Sequence, residues 1–556
     1  MKRPKLCLAP CELIKMEDKI MKLKRIVAYA AAALMLAFSG ALLAACGNKG
    51  GGYQTDDLGI YKTDAEGIKV YKIVVLDHGV TINSQTLKYR EQVMKEINDR
   101  LYRDLGFKAE FQVDTYADTQ FADKVSTLIS EGAHADLIRQ NGTDVLFGYV
   151  ASNVAKDITP YVDATQNLKT VISGRIWDEV KADGKTYAIP LLSLPVDTTI
   201  YARGDLLSKA GFKDGQNNPR PLSTLAEYES FLNTIKTGGQ AYLDTLLPTV
   251  PLMIQASNLE NLLLPCFTET PGDYFENGQL KPKIAQAGYK QYVQKVREWH
   301  KNGWIDDSIY TISFFELANL MNSKITALAG STVWDLEFGS IKSTNTAHPD
   351  WQITPMLPLT SADGVYKAGA GHASEYLWVP YSSKSTGAAM RILDWSCNNE
   401  ENYMLLNYGI KGMTYELGEN NAVSVPEAEK SAAVRMPYDL MGFFMVVTNR
   451  EFNLKYPSSQ APAAALDFYK KSMQIPLNKI YVDPMVYVKS SLSDADLAKL
   501  NSANNTMSLE LQKILTNKYG DGDFESKWAA MVNKYVGDTA AVYTKLTQAY
   551  NGKFSA

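Results

Sequence analysis

Residues 68–141 constrain the architecture more tightly than any other stretch. "IKVYKIVVLDHG" is an apolar run that breaks at Asp77-His78-Gly79, which reads as a buried strand ending in a loop. Val93, Ile97, Leu101 and Leu105 then recur every four residues, with Met94 and Tyr102 beside them, until Gly106 stops the predicted helix. Phe107, Ala109, Phe111 and Val113 alternate as in a strand. "DTQFADKVSTLISEG" predicts a second amphipathic helix, and "ADLIRQNG" a third strand running into a loop. Strand-helix-strand-helix-strand is the order of a mainly parallel sheet covered by helices, so the fold class is α/β. Ligands bind such sheets beyond the carboxyl ends of the strands. That singles out Asp77, His78, Gln140, Asn141 and Thr143.

The N-terminal segment speaks to location. After Met21, three cations (Lys22, Lys24, Arg25) precede an apolar run from Ile26 to Leu43, the parts of a secretory signal. About 18 apolar residues would also suit a spanning anchor. The run ends in Leu43-Ala44-Ala45-Cys46, however, which resembles the lipobox of bacterial lipoproteins. That resemblance implies removal of residues 1–45 and acylation of Cys46, with Met21 as the expected start because charges, Pro4 and Pro10 interrupt the first twenty residues. Residues 46–67, beginning "CGNKGGGYQTDDLG", lack apolar periodicity and read as a flexible tether. Two or more acyl chains would hold such a protein at a membrane surface.

Charge and cysteine usage narrow the function classes. Residues 1–45 carry eight Lys/Arg and three Asp/Glu, so their removal takes the net charge from −4 to −9. A mildly acidic chain lacks the basic face that nucleic acid requires. The length implies at least two domains. Cys266 and Cys397 are the cysteines left after Cys46, and one widely spaced pair is no disulfide framework, so two separate buried thiols are expected. Tyr, at 32 residues, outnumbers Phe, at 18, which suits surfaces that join apolar faces to polar edges.

"GKTYAIPLLSLPVDTTIYARGDLLSKAG" (184–211) resembles the crossover segment of the substrate-binding proteins of carbohydrate ABC transporters, a group that includes maltodextrin- and alginate-oligosaccharide-binding proteins. Three further stretches extend the resemblance: "ADLIRQNGTDVLFGYVASNVAKDITPYV" (135–162), "NSKITALAGSTVWDLEF" (322–338) and "EENYMLLNYGIKGMTYEL" (400–417). The last carries Lys411 where glutamate is usual. Together they cover nearly all of 68–556.

The resemblance implies a two-lobed, periplasmic-binding-protein-like fold with a hinge and an inter-lobe cleft. One lobe would hold 68–190 and 357–402, the other 205–355 and 406–556, with 191–204 as hinge crossover. It further implies a monomeric protein on the extracytoplasmic face of the cell membrane. Such a protein captures an oligosaccharide and delivers it to ABC transporter permease subunits, with no catalytic activity and no cofactor. Trp334 stands where that group stacks an aromatic ring on sugar. Asp197 and Arg203 flank the crossover; Asp197 could accept sugar hydroxyls, and Arg203 could clamp a uronate or form a structural salt bridge. Tyr376 and Trp378, two apart, would share one face of a strand, as site or as core. Trp177, Trp395 and Trp528 sit in helical patterns and are expected in cores.

Catalytic and metal motifs are sparse. There is no G-x-x-x-x-G-K-[ST] P-loop (Gly184-Lys185-Thr186 has Glu179 where the first glycine would stand), no G-x-S-x-G elbow and no H-E-x-x-H, and "GAGHAS" reads as a loop. His372 and Glu375 have i,i+3 spacing without further ligands, and Asp521-Gly522-Asp523 reads as a turn rather than a calcium loop, so no metal is expected. Two other classes stay open on sequence: a secreted glycosidase or lyase, since carboxylates are plentiful, and a peptide-binding or adhesive lipoprotein.

Overall fold

A strand that is apolar on both faces needs cover on both, and the first third of the chain supplies it. The structure is a computed structural model that describes residues 53–78, 87–191, 196, 198–245, 249–324, 326–332, 336, 340–367, 375–431, 434, 436–441, 447–459 and 461–554. The chain divides into two units, Met1–Gln54 and Thr55–Ala556; of the first, only Tyr53 and Gln54 are described. The second unit carries the fold.

Strand β1 (Gly59–Thr63) runs antiparallel to β2 (Lys69–His78). Helix α1 (Arg90–Leu105) buries Val93, Ile97 and Leu101 and ends at Gly106, whose φ of 77° is a left-handed cap that glycine adopts without strain. Strand β3 (Lys108–Tyr116) lies parallel to β2 along its length, from Val70↔Lys108 to His78↔Tyr116. After α2 (Asp118–Glu131), β4 (Leu137–Asn141) pairs with β2 in parallel, Val75 opposite Leu137. Helices α3 (Thr143–Ala151) and α4 (Gly174–Asp178) lead to β5 (Ala188–Leu191).

The chain then crosses to a second sheet. Strand β6 (Thr198–Ala202) is buried at all five positions. Strand β7 (Leu252–Met253) comes next, followed by α5 (Ala287–Lys301), which buries Tyr292, Val296 and Trp299. Strand β8 (Leu328–Thr332) lies parallel to β7 and antiparallel to β6, and β9 (Thr354–Met356) is antiparallel to β6. Strand β10 (Glu375–Trp378) returns to the first sheet and inserts between β4 and β5, antiparallel to both. Helices α6 (Thr386–Cys397) and α7 (Glu400–Tyr408) follow, then α8 (Ala463–Gln474), α9 (Asp494–Leu515) and α10 (Phe524–Phe554).

Two separate cores result. Ile73, Leu76, Ile97, Ile138, Trp378 and Ile392 belong to the first; Ile200, Phe231, Leu262, Val296 and Trp299 belong to the second, with α9 and α10 adding Ile514 and Trp528. This is a two-lobed α/β fold. Lobe membership differs from the sequence expectation in four places. The expected flexible tether, 46–67, overreaches, because Gly59–Thr63 is a strand of the first sheet, with Tyr61 opposite Tyr71 and Thr63 opposite Lys69. Strand β6 already belongs to the second sheet, so the first crossing is shorter than 191–204. Leu359 packs in the second core, and the first sheet resumes only at Glu375. Leu406, Met441 and Val447 pack in the first core, because α7 continues the apolar face that Leu405 presents there. The chain thus recrosses between 456 and 463, where Ala465 and Phe468 of α8 join Tyr201 and Ala329. The Ser472 hydroxyl on α8 accepts from the Val196 amide at 3.2 Å, which ties this third passage to the first.

Cys266 and Cys397 are both free thiols, and burial pushes them up to about 11 and about 12. Trp177, Trp395 and Trp528 are buried. Among the described residues no helix is long and apolar enough to cross a membrane.

One buried carboxylate ties the first lobe together. Asp136 is 0% exposed and accepts from the Val74 amide at 2.9 Å, the Lys384 and Ser385 amides at 3.0 and 2.8 Å, and the Ser383 hydroxyl at 2.8 Å. His134 Nε2 lies 2.8 Å from it. Burial alone would raise its pKa, but His134 and these donors outweigh burial and hold it below the usual carboxylate range. The stability it contributes is therefore present above the unfolded value of about 3.9 and is lost as pH falls through the lower folded value. Asp136→Ala should cost about 3 kcal/mol or more in urea unfolding, because it strands several buried donors, and should flatten the acid limb of the stability curve. A loss under about 1 kcal/mol would contradict this role.

Candidate binding cleft

Strand direction decides where a ligand can meet this molecule. In the first sheet β2, β4 and β5 end at one edge, with Asp77-His78, Asn141 and Leu191, and β10 begins there with Glu375 opposite both Asn141 and Leu191. In the second sheet β6 begins at Thr198 opposite the end of β8 at Thr332, and β9 ends at Met356 opposite Ile200. Leu191 and Thr198 are seven residues apart in sequence, which allows at most about 25 Å of extended chain. The two edges are therefore neighbours, and the space between them is the candidate cleft.

The first edge is charged. Arg139 on β4 lies opposite Leu377, and Glu375 is two residues before Leu377 on β10, hence on the same face and on the diagonal that a long side chain spans. Arg139 donates through Nε to Glu375 Oε1 at 2.7 Å and through Nη2 to Oε2 at 2.8 Å, a two-pronged pair. On its other side Asp77 Oδ2 lies 3.8 Å from Arg139 Nη1. His78 Nε2 stands 3.9 Å from Glu375 Oε1, with its ring 5.2 Å from that of Phe121 on α2. Burial raises the Asp77 carboxyl above its usual range against the pull of Arg139. Burial would lower the Arg139 guanidinium, but Glu375 outweighs it and raises the group. Glu375 keeps 26% of its side chain exposed, so the pair can be reached from solvent.

The opposite face of β10 is core. Tyr376 and Trp378 do share a face, as their spacing implies, but both are fully buried. Tyr376 donates to the Gly142 carbonyl at 2.8 Å, and the Trp378 ring stacks on Tyr149 of α3 at 4.5 Å. Neither presents a surface to a ligand. Gln140 lies opposite Tyr376 and is half-buried; Asn141 is exposed at the strand end. Thr143 opens α3, and its side chain lies outside the described residues. Cys46, Asp197, Trp334 and His372 also lie outside them.

Arg203 does not belong to the cleft. It follows Ala202, the far end of β6 from Thr198, and forks onto Asp205 at 3.2 and 2.7 Å with its guanidinium 3.9 Å over the Trp351 ring. Of the two readings open to it, the structural salt bridge is the one formed. Arg139 escaped the sequence reading; its signal was an arginine directly after the apolar pair Leu137-Ile138 of a short strand.

The described residues also form surface grooves. One, of about 440 Å³, runs between Tyr408, Asn453 and Tyr456 on one side and Leu466, Tyr469 and Met473 of α8 on the other, beside the third passage between lobes. A larger one, of about 930 Å³, is lined by Arg103, Asp104, Arg391 and Trp395. It lies where α1 ends and β3 begins, at the end of the sheet away from the crossings. Among the described residues no group of three or more His, Cys, Asp or Glu could hold a metal ion. Asp521 of the Asp-Gly-Asp sequence sits in a turn and accepts from Arg297 at 3.0 Å.

No family model and no curated protein matches this sequence. Solved structures do share the fold. The N-glycan transport solute-binding protein NgtS of Streptococcus pneumoniae superposes with a TM-score of 0.59 at 15% identity, over 87% of this chain and 99% of that one. The alginate-binding protein AlgQ2, solved without calcium ion, gives 0.55 at 15% identity over 87% and 98%. The S. pneumoniae ABC-transporter substrate-binding protein FusA, in complex with kestose, gives 0.54 at 14% over 87% and 99%. At these identities the likeness establishes the fold: this chain has the two-lobed architecture of carbohydrate ABC-transporter solute-binding proteins.

Proposed function

We propose that this protein is the substrate-binding component of a carbohydrate ABC transporter, which closes its lobes on an oligosaccharide and hands it to the permease without turning it over. The observation that carries the reading is the meeting of two strand edges joined by three passages of chain, one edge presenting a reachable carboxylate–guanidinium pair. Such pairs match sugar hydroxyls, which both donate and accept. Whole-length likeness to proteins that bind N-glycans, alginate and kestose supports it.

Trp334, two residues beyond the strand end at Thr332, is the proposed stacking platform. Removing an aromatic ring from a sugar face should weaken binding by about 1–3 kcal/mol, roughly 5- to 150-fold. A core tryptophan would instead lose about 3–5 kcal/mol of stability. Calorimetric titration and a thermal melt of Trp334→Ala distinguish the two: affinity should fall while Tm stays near that of the parent. A large loss of Tm with affinity intact would return Trp334 to the core, and conversion of the sugar in a chromatographic assay would make the protein an enzyme.

The tether belongs to the same proposal. Acylation at Cys46 would hold the protein beside its transporter at the outer face of the cell membrane. Cys46→Ala should leave the protein in the soluble fraction or as uncut precursor. Unchanged processing and membrane retention would contradict a lipid anchor.

A further inference from the structure

The charge balance at the first lobe's edge bears on the kind of sugar the proposed function would involve. Among the described residues Arg139 is the cation paired there, and its fork is already closed by Glu375 at 2.7 and 2.8 Å. Asp77 stands on the other side at 3.8 Å. One guanidinium thus faces two carboxylates across three adjacent strands.

We infer that this edge admits uncharged sugar residues and excludes uronates and other carboxylated sugars; the inference rests on the oligosaccharide-binding reading above. A ligand carboxylate seeking Arg139 would have to displace Glu375 from a two-pronged pair. Otherwise it would settle beside two like charges, and like charges within about 4–6 Å disfavour one another's ionised form. A hydroxyl meets no such conflict. A carboxylate offers about four acceptor sites; Glu375 gives one bond from each oxygen to Arg139 and can accept sugar hydroxyls at the rest. Among the described residues, His78, 3.9 Å from Glu375, and Tyr438, which acts on Arg139, are the other titratable groups facing the pair.

The test is a thermal-shift panel followed by calorimetry on the wild-type protein at pH 8, where imidazole is ordinarily neutral. The probes are neutral tetrasaccharides (maltotetraose, cellotetraose, mannotetraose, N,N′,N″,N‴-tetraacetylchitotetraose) and the uronates tetragalacturonate and tetramannuronate. At least one neutral probe should bind while both uronates fail. Its affinity should change less than about twofold between about 50 and about 500 mM NaCl, because no ligand charge is screened. Binding of either uronate, or an affinity that falls steeply with salt, overturns the inference and leaves the sugar-binding reading intact. A protein that answers none of the probes counts against that reading, and the inference falls with it. Glu375→Gln supplies a second readout by leaving Arg139 with one fewer counter-charge. The ratio of neutral to uronate affinity should narrow at least about tenfold; an unchanged ratio in the folded variant overturns the role given to Glu375.

Discussion

The architecture depends on one non-local pairing, the insertion of β10 between β4 and β5. Glu375 sits opposite Asn141 on one side and Leu191 on the other, so a segment more than 180 residues downstream of β5 holds that strand in the sheet. Without it β5 has no partner in the first sheet among the described residues, and the chain would leave the lobe from an unsecured end. Asp136 reinforces the arrangement by joining β2 to the start of α6, a few residues beyond β10. The same insertion creates the charged edge, because Arg139 finds its carboxylate only once β10 lies beside β4. Closure of the sheet and formation of the proposed binding surface are therefore one event. Pairings of such long sequence separation also make folding slow relative to local structure.

Two lobes joined by several passages of chain can bend about them while sliding is resisted. A ligand that touches both edges favours the closed arrangement by its extra contacts there, and only by those. The Ser472–Val196 bond ties the third passage to the first.

Much of the first lobe was legible in the sequence, because its information is local. Val93, Ile97 and Leu101 declare a helix by spacing alone, Gly106 its end, and Asp77 and Asn141 the strand ends. Where the outcome turns on distant partners, spacing was silent. Tyr376 and Trp378 do share a face, but that this face is core is decided by Tyr149 on α3. Arg203 could have faced a ligand; Asp205 and Trp351 decide otherwise. Arg139 was passed over because its meaning lies in Glu375, 236 residues away. Leu406, Met441 and Val447 join the first core rather than the second for a related reason: nothing in their own pattern says which lobe they will meet.

The central claim is that two lobes close on an oligosaccharide, and small-angle X-ray scattering tests it most directly. Scattering is recorded with and without a saturating sugar that calorimetry has shown to bind. The account requires a smaller radius of gyration in the bound state. An unchanged radius at saturation would contradict it and describe a rigid binder instead.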